Sequence, residues 1–446
     1  MDYREHLQRL TEAEVQSAQR AVDYLRNNVK PRLEELLDTP GLGIKDWRKR
    51  GVMLMWNNIL RQIIRKTAMS YKKSPVRSVL TGGAVNEAAT GRYNEMIKAS
   101  NLSESCATID SWSRLLGVAG VMTLYVPETE EFTFAPIARH NCDVDYDKRT
   151  RTTNSLFYGT GAVGPKGGQI YVQWTKDRVL EYEQQGQEFS LIGHPTDNPY
   201  GFVPVSFLDD TAQSQSGIWH PPAWEQLTTA VEASALFFIE TKFNSRFQAF
   251  PALFGNVEIP EGTTVGPDTV VKFNTLPGDS IYLEYKSATA VSVSLKAFIE
   301  TFETFNYNLA QEWGANLKIS GSGTANSGFQ LVVDEFDSLE ERESRLLFAG
   351  KFEESVFRTV KAISDVHGLG IHGDELSVDF EDSKLPVDTL EEWNIRKEQI
   401  AMGYTSVDAE WRKDNPEITD EEIARRKAEI NGPAGPTFGN IVDEGN

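Results

Sequence analysis

Leu295, Phe298, Phe302, Phe305 and Leu309 recur at alternating spacings of three and four. That spacing lays one apolar seam along a helix lasting to about Trp313. A second helical pattern starts at Ser327-Gly328 and runs to about Val366, with no Pro and only Gly350 inside it. At ~1.5 Å per residue it would be roughly 50 Å long, a length that spans an assembly more naturally than it closes a pocket. Between the two lies SGSGTANSG, residues 320–328, polar and punctuated by Gly. Two long helices meeting at a flexible polar loop suggest a mechanical part.

Upstream, Thr11 and Glu14 have the spacing of a capping box before a helical stretch. Pro31 interrupts that stretch, and a basic helical pattern over 46–73 ends at Pro75. Residues 86–120 read as further helix with a turn near 101–103. From about 121 to 209 the period shortens to runs of strand length, such as TLYV, FTFAPI, QIYVQW and RVLEYE, separated by Gly, Pro, Asn and charged turns. Pro221-Pro222 then opens a helix, with Pro at permitted first-turn positions, and Pro251 closes it. Residues 251–291 form a small β-like island rich in Gly and Pro, inserted between two long helices. Beyond Pro386 come two acidic helical stretches, around Trp393 and Glu421, then a disordered-looking end. The pattern is that of an α+β chain.

Composition narrows the class. With 40% hydrophobic and 25% charged residues, the chain has material for two or three cored domains. No charge-free apolar run approaches the ~20 residues that span a bilayer. The nearest, LLGVAGVMTLYV over 115–126, reads as a buried helix-to-strand segment. The charged start MDYREHLQRL lacks the apolar core of a secretion signal. Two cysteines, Cys106 and Cys142, point to a reducing compartment. Net charge is −20. Residues 1–80 hold 16 Lys and Arg against 9 Asp and Glu, while 331–446 hold 13 against 28. A chain this acidic is unsuited to general gripping of DNA, which draws on counterion release by Lys and Arg. Acidic surface near DNA would suit a conduit and not a clamp, while on composition alone the same charge serves simply to keep a large protein soluble.

Candidate chemistry is sparse. Gly159-Thr160-Gly161-Ala162-Val163-Gly164 matches GxGxxG, but Pro165 and another strand follow where a dinucleotide site needs a helix, so a hairpin is expected. Asp143, Asp145 and Asp147 open like a calcium loop, yet Lys148 and Asn154 replace the required Gly and Glu, which favours an exposed acidic turn. His140 and Cys142 have no second ligand pair at zinc spacing, and His367 and His372 lack helical register. There is no GxxxxGK[ST], GxSxG or HExxH. No enzyme activity, cofactor or metal is expected.

Several segments, in order, resemble the portal proteins of tailed bacteriophages. Asn57 to Ile64, running through Ala68 to Tyr71 and Pro75, resembles the family's N-terminal helix and its exit. HPTDNPYGFVPVSFL over 194–208 resembles the strand at the end of its wing sheet. Ser327-Gly328-Phe329-Gln330-Leu331 with the run 339–345 resembles the start of the long helix after the tunnel loop; Gln330 stands where the family often has Ala. Gly403, Tyr404 and Ser406, then Asn415-Pro416-Glu417 and DEEIARRKAEI, resemble its C-terminal segment.

The resemblance covers about 47–430 and implies the portal fold. The wing would be 1–215, helical over 1–120 and β-rich over 121–215. The first stem helix would be 216–250, the clip 251–293, the second stem helix 294–314 and the tunnel loop 315–328. The long wing helix would follow at 329–366, then a short crown and tail at 367–446. It implies a ring of usually twelve copies at one capsid vertex in the virion, assembled in the host cytoplasm. Double-stranded DNA would pass through the ring. Its partners would be terminase, then a head–tail adaptor or tail protein, with major capsid and scaffold proteins around it; no membrane is involved. Lys318, Ser320, Ser322, Thr324 and Asn326 would line the channel, and the Leu295–Leu309 seam would pack the stem. Two alternatives stay open: another virion structural protein, such as a minor capsid protein or adaptor, and a carboxylate-metal nuclease using Asp143, Asp145 and Asp147.

Overall fold

A computed structural model describes residues 3–10, 12–39, 54–147, 149–150, 152–186, 188–210, 218–249, 252–255, 283–286, 291–315, 328–380 and 422–423. Within them, 240, 242–249, 252–255, 283–286, 291–298 and 328–340 are described at the backbone alone. The chain divides into two compact units, Met1–Thr324 with Phe336–Glu381, and Ala325–Glu335 with Asp382–Asn446. Of the second unit, the described residues are helical at 328–335 and at 422–423.

The first unit opens with α1 (Tyr3–Leu10), α2 (Ala13–Leu25), α3 (Lys30–Asp38) and α4 (Ile59–Thr67). In α2, Val15, Ala18, Ala21 and Val22 are buried at helical spacing. Pro31 sits in the first turn of α3, where its missing N–H would have no helical partner anyway. Of the expected capping box, Thr11 lies outside the described residues; Glu12 stands at the N-cap of α2 without a side-chain cap, and Glu12 and Glu14 both pair with Arg139. Of the basic pattern over 46–73, the described part is helical over α4. There the Asn58 side chain accepts the Arg61 amide while Ile59, Leu60, Ile63 and Ile64 go inward.

Two strands follow, β1 (Val76–Thr81) and β2 (Ala84–Val85), then helices α5 (Glu87–Ala99) and α6 (Leu102–Leu116). Gly117 ends α6 at φ 80, and a Cβ there would strike His220 at 2.6 Å, so Gly is required twice over. The meander continues as β3 (Val118–Val126), β4 (Glu131–Ala138), β5 (Cys142–Asp147), β6 (Thr152–Val163), β7 (Gln169–Thr175), β8 (Arg178–Gln185), β9 (Glu188–Asp197) and β10 (Val205–Asp209). Next come α7 (Trp224–Ala249), β11 (Ala252–Gly255), β12 (Leu283–Lys286) and α8 (Val291–Glu312). Pro221 and Pro222 form a turn just ahead of α7, not its first turn. Last come α9 (Gly328–His367) and β13 (Glu375–Asp379).

All recorded strand pairs are antiparallel, in sheets ordered β13-β1-β2, β10-β3-β4, β11-β12 and β5-β6-β7-β8-β9. The hydrophobic pattern predicts no strand at 76–81 or 375–379. Yet Val79 pairs with Leu376 there, because each short run becomes a strand only beside the other. Six successive residues of β3 are buried, as befits a strand covered on both faces. On α9, Ala349, Phe352, Val356, Phe357, Val360 and Ile363 are buried, and the Phe357 ring meets Tyr93 edge-on at 5.1 Å. Burial of each large side chain contributes roughly 1.5–3 kcal/mol. No described helix is long and apolar enough to cross a membrane.

Candidate functional site

A buried charge cluster lies where α6, the end of β10, the end of α8 and α9 converge. Arg114 and Asp110 sit one turn apart on α6, with side chains 8% and 2% exposed. Arg114 donates to Asp210 at 2.9 Å, and to the Trp313 carbonyl at 2.5 Å. Its guanidinium also lies 5.4 Å from the Trp313 ring centroid and pairs with Glu341 of α9. Arg345, one turn further along α9, donates to Asp110 at 2.9 Å and to the Thr67 carbonyl at the same distance. Its Nε lies 2.7 Å from Asp210 Oδ1, an ion pair whose N–H is not aimed for a hydrogen bond. Asp110 also accepts the Ser70 amide at 3.0 Å. Two arginines thus hold three carboxylates, close to the balance a buried network needs. Burial pushes the Asp110 and Glu341 carboxyls up, against the pull of Arg345 on the first and Arg114 on the second.

This hub fixes the end of α8. Gly314, at φ 69, donates its amide to Gln311 O at 2.9 Å, and Ala315 donates to Ala310 O at 2.8 Å. Those bonds make a Schellman cap, and the two alanines joined by the second, Ala310 and Ala315, are both buried. Arg114 therefore ties the α8 cap, through the Trp313 carbonyl, to α9, through Glu341. The segment joining those two helices contains the polar loop. Lys318, Ser320, Ser322, Thr324 and Asn326 lie outside the described residues.

The seam residues separate. Phe302 stacks on Phe237 of α7 at 5.2 Å and meets Phe238 edge-on at 6.5 Å. Leu309 is buried, whereas Phe305 is 51% exposed and Ile299 36%. Leu295 and Phe298 lie where the backbone alone is described.

A second polar cluster joins α1 to the five-stranded sheet. His6 contacts Asp143 Oδ2 through Nδ1 at 2.7 Å and Ser155 Oγ through Nε2 at 2.9 Å. Asp143 also accepts from Arg139 at 3.1 Å. The order Asp–His–Ser has the outline of a proton relay. All three side chains are buried, however, none more than 2% exposed. Their chemistry is to hold α1 down, with Tyr3 stacked on Tyr182 at 4.7 Å. The expected exposed acidic turn is thereby corrected: Asp143 and Asp145 lie within β5, Asp143 is buried by its cationic partners, and Asp147, at the strand end, accepts the Arg149 amide. Among the described residues no group of three or more metal-binding side chains converges. The GxGxxG segment forms the end of β6 and its hairpin to β7, where the Glu183 carboxylate accepts the Lys166 and Gly168 amides.

Sequence reasoning missed the hub, though a signal was present. Arg342 and Arg345 extend the stripe of Ala349, Phe352 and Val356 backward at spacings of three and four. Charges placed on a core stripe announce buried partners.

No family model matches the chain, and no curated protein matches it. Among the solved structures similar to it are two gene transfer agent assemblies. One, described as the virion of a native gene transfer agent particle, aligns at a TM-score of 0.40 and 12% identity, over 78% of this chain and 87% of that one. The other, the neck of an empty gene transfer agent particle computed with C6 symmetry, aligns at 0.43 and 13%, over 80% and 89%.

Proposed function

We propose that the chain is the subunit of a bacteriophage portal: a ring at one capsid vertex through which DNA is packaged and later ejected. The resemblance along the sequence motivates this reading, and the order α7, β11–β12 pair, α8, polar loop, α9 accords with it. The observation that carries it is the apolar surface left on the long helices. Ile299 and Phe305 on α8, and Leu347 and Val366 on α9, stay 36–70% exposed although neighbours on the same helices pack inward. A heterologous contact repeated around a closed ring would cover them.

In this reading the ring is a conduit and not an enzyme. A separate terminase ATPase supplies the energy, docks on the ring, and later gives way to adaptor or tail proteins. The acidic chain keeps DNA from sticking to the wall. The polar loop, with Lys318 beside it, touches the phosphate backbone without reading sequence. Light scattering after size exclusion tests the proposal. Twelve copies of 50.0 kDa give roughly 600 kDa, and negative-stain images should show an axial hole. A monomer or dimer at micromolar concentration would overturn it.

A further inference from the structure

We infer that Arg114 is a positioning residue: the joint that locks the α8 end of the polar loop to the long helix. Four features support this. Its three polar partners, Asp210, the Trp313 carbonyl and Glu341, come from three separate elements. The Trp313 carbonyl lies at the cap of α8, where a helix leaves its last carbonyls without partners. The Trp313 ring lies against the same guanidinium, so main chain and side chain of one residue are held together. Finally, Arg345 shares Asp210 with Arg114 and anchors α9 to α6 through Asp110, which leaves Arg114 to set the position of α8.

A planar fork is needed for this. A lysine in the same place could keep the charge opposite Asp210 but could not span Asp210, Glu341 and the carbonyl together. The joint therefore depends on guanidinium geometry. The consequence rests on the portal reading: a displacement of the loop by passing DNA is transmitted through α8 into α9 as one body, and replacing Arg114 uncouples the two.

The test is hydrogen exchange on the full chain, wild type beside Arg114→Lys and Arg114→Gln. The joint predicts at least tenfold faster exchange at the Gly314 and Ala315 amides of Arg114→Lys. The β3 amides, which report global opening, should keep wild-type rates. A purely structural role would raise exchange everywhere together. Unchanged rates at Gly314 and Ala315, or a uniform rise, would overturn the inference. Should Arg114→Gln fail to fold, Arg114→Lys still decides. Imaging the same samples keeps the two ideas apart: wild type without rings sinks the portal reading but leaves the joint to its exchange data. Rings with unchanged exchange in Arg114→Lys sink the joint alone.

Discussion

His140 shows how much one enclosed side chain can impose. Its Nδ1 is sealed from water without a hydrogen-bond partner, and the ring stands edge-on to Trp112 at 4.6 Å. Loss of hydration, with Arg26 nearby, pushes its pKa down to about 3. In the folded chain the ring stays neutral until strong acid, whereas in the unfolded chain it takes a proton near pH 6.5. The unfolded state therefore binds more protons between those values, and stability falls as pH drops through that window. His140→Phe should flatten this acid limb, which urea denaturation at pH 7, 6 and 5 would reveal. Equal slopes for mutant and wild type would mean that His140 is hydrated in the fold. The Arg77–Glu353 pair imposes a different constraint. Its two bonds of 2.9 and 2.7 Å join buried side chains 276 residues apart in sequence. Removing one partner would strand a buried charge at a cost of about 3–5 kcal/mol.

At the scale of elements, α8 has two faces that a single mutation each can separate. Phe302 is half-buried against the α7 rings, so Phe302→Ala should loosen the helix pair and lower stability by less than the ~3–5 kcal/mol lost at a fully buried Phe. Phe305 is 51% exposed in the isolated subunit, so Phe305→Asp should leave thermal stability of the monomer nearly unchanged and, if the portal reading holds, abolish ring assembly. Calorimetry and scattering on the two variants would check this, and intact rings from Phe305→Asp would mean that another surface closes them. The helices and the β5–β9 meander were legible because their periods are local: spacings of three and four in α2 and α9, short apolar runs between turns in the sheet. β1 and β13 were not legible, since VRSVLT and ELSVD gain strand character from a partner far along the chain. Asp143 was misread for a similar reason: its partner His6 lies 137 residues away in sequence, and His6 in turn reaches Ser155 of β6, 149 residues from it. The hub left its trace in Arg342 and Arg345, whose charges fall on an apolar stripe. The channel-lining residues proposed from the sequence lie outside the described part.

For the molecule as a whole, the pairing of β1 with β13 has a consequence in time. Val79 finds its ladder partner at Leu376, about 300 residues later in the chain, and loop closure on that scale is slow. A nascent chain has made β1 long before β13 exists, and until then one edge of β1 stays open to unwanted pairing. The β6–β7 hairpin, by contrast, can close as soon as Gln169 to Thr175 is made. Pulsed hydrogen exchange during refolding should find the β1–β13 amides among the last protected and the β6–β7 amides among the first. Simultaneous protection would show that the distant pair forms early. If the order holds, the edge closes only after nearly the whole first unit has been synthesised. A chain truncated before residue 375 would then carry a bare strand edge, open to pairing with the edge of another unfinished copy.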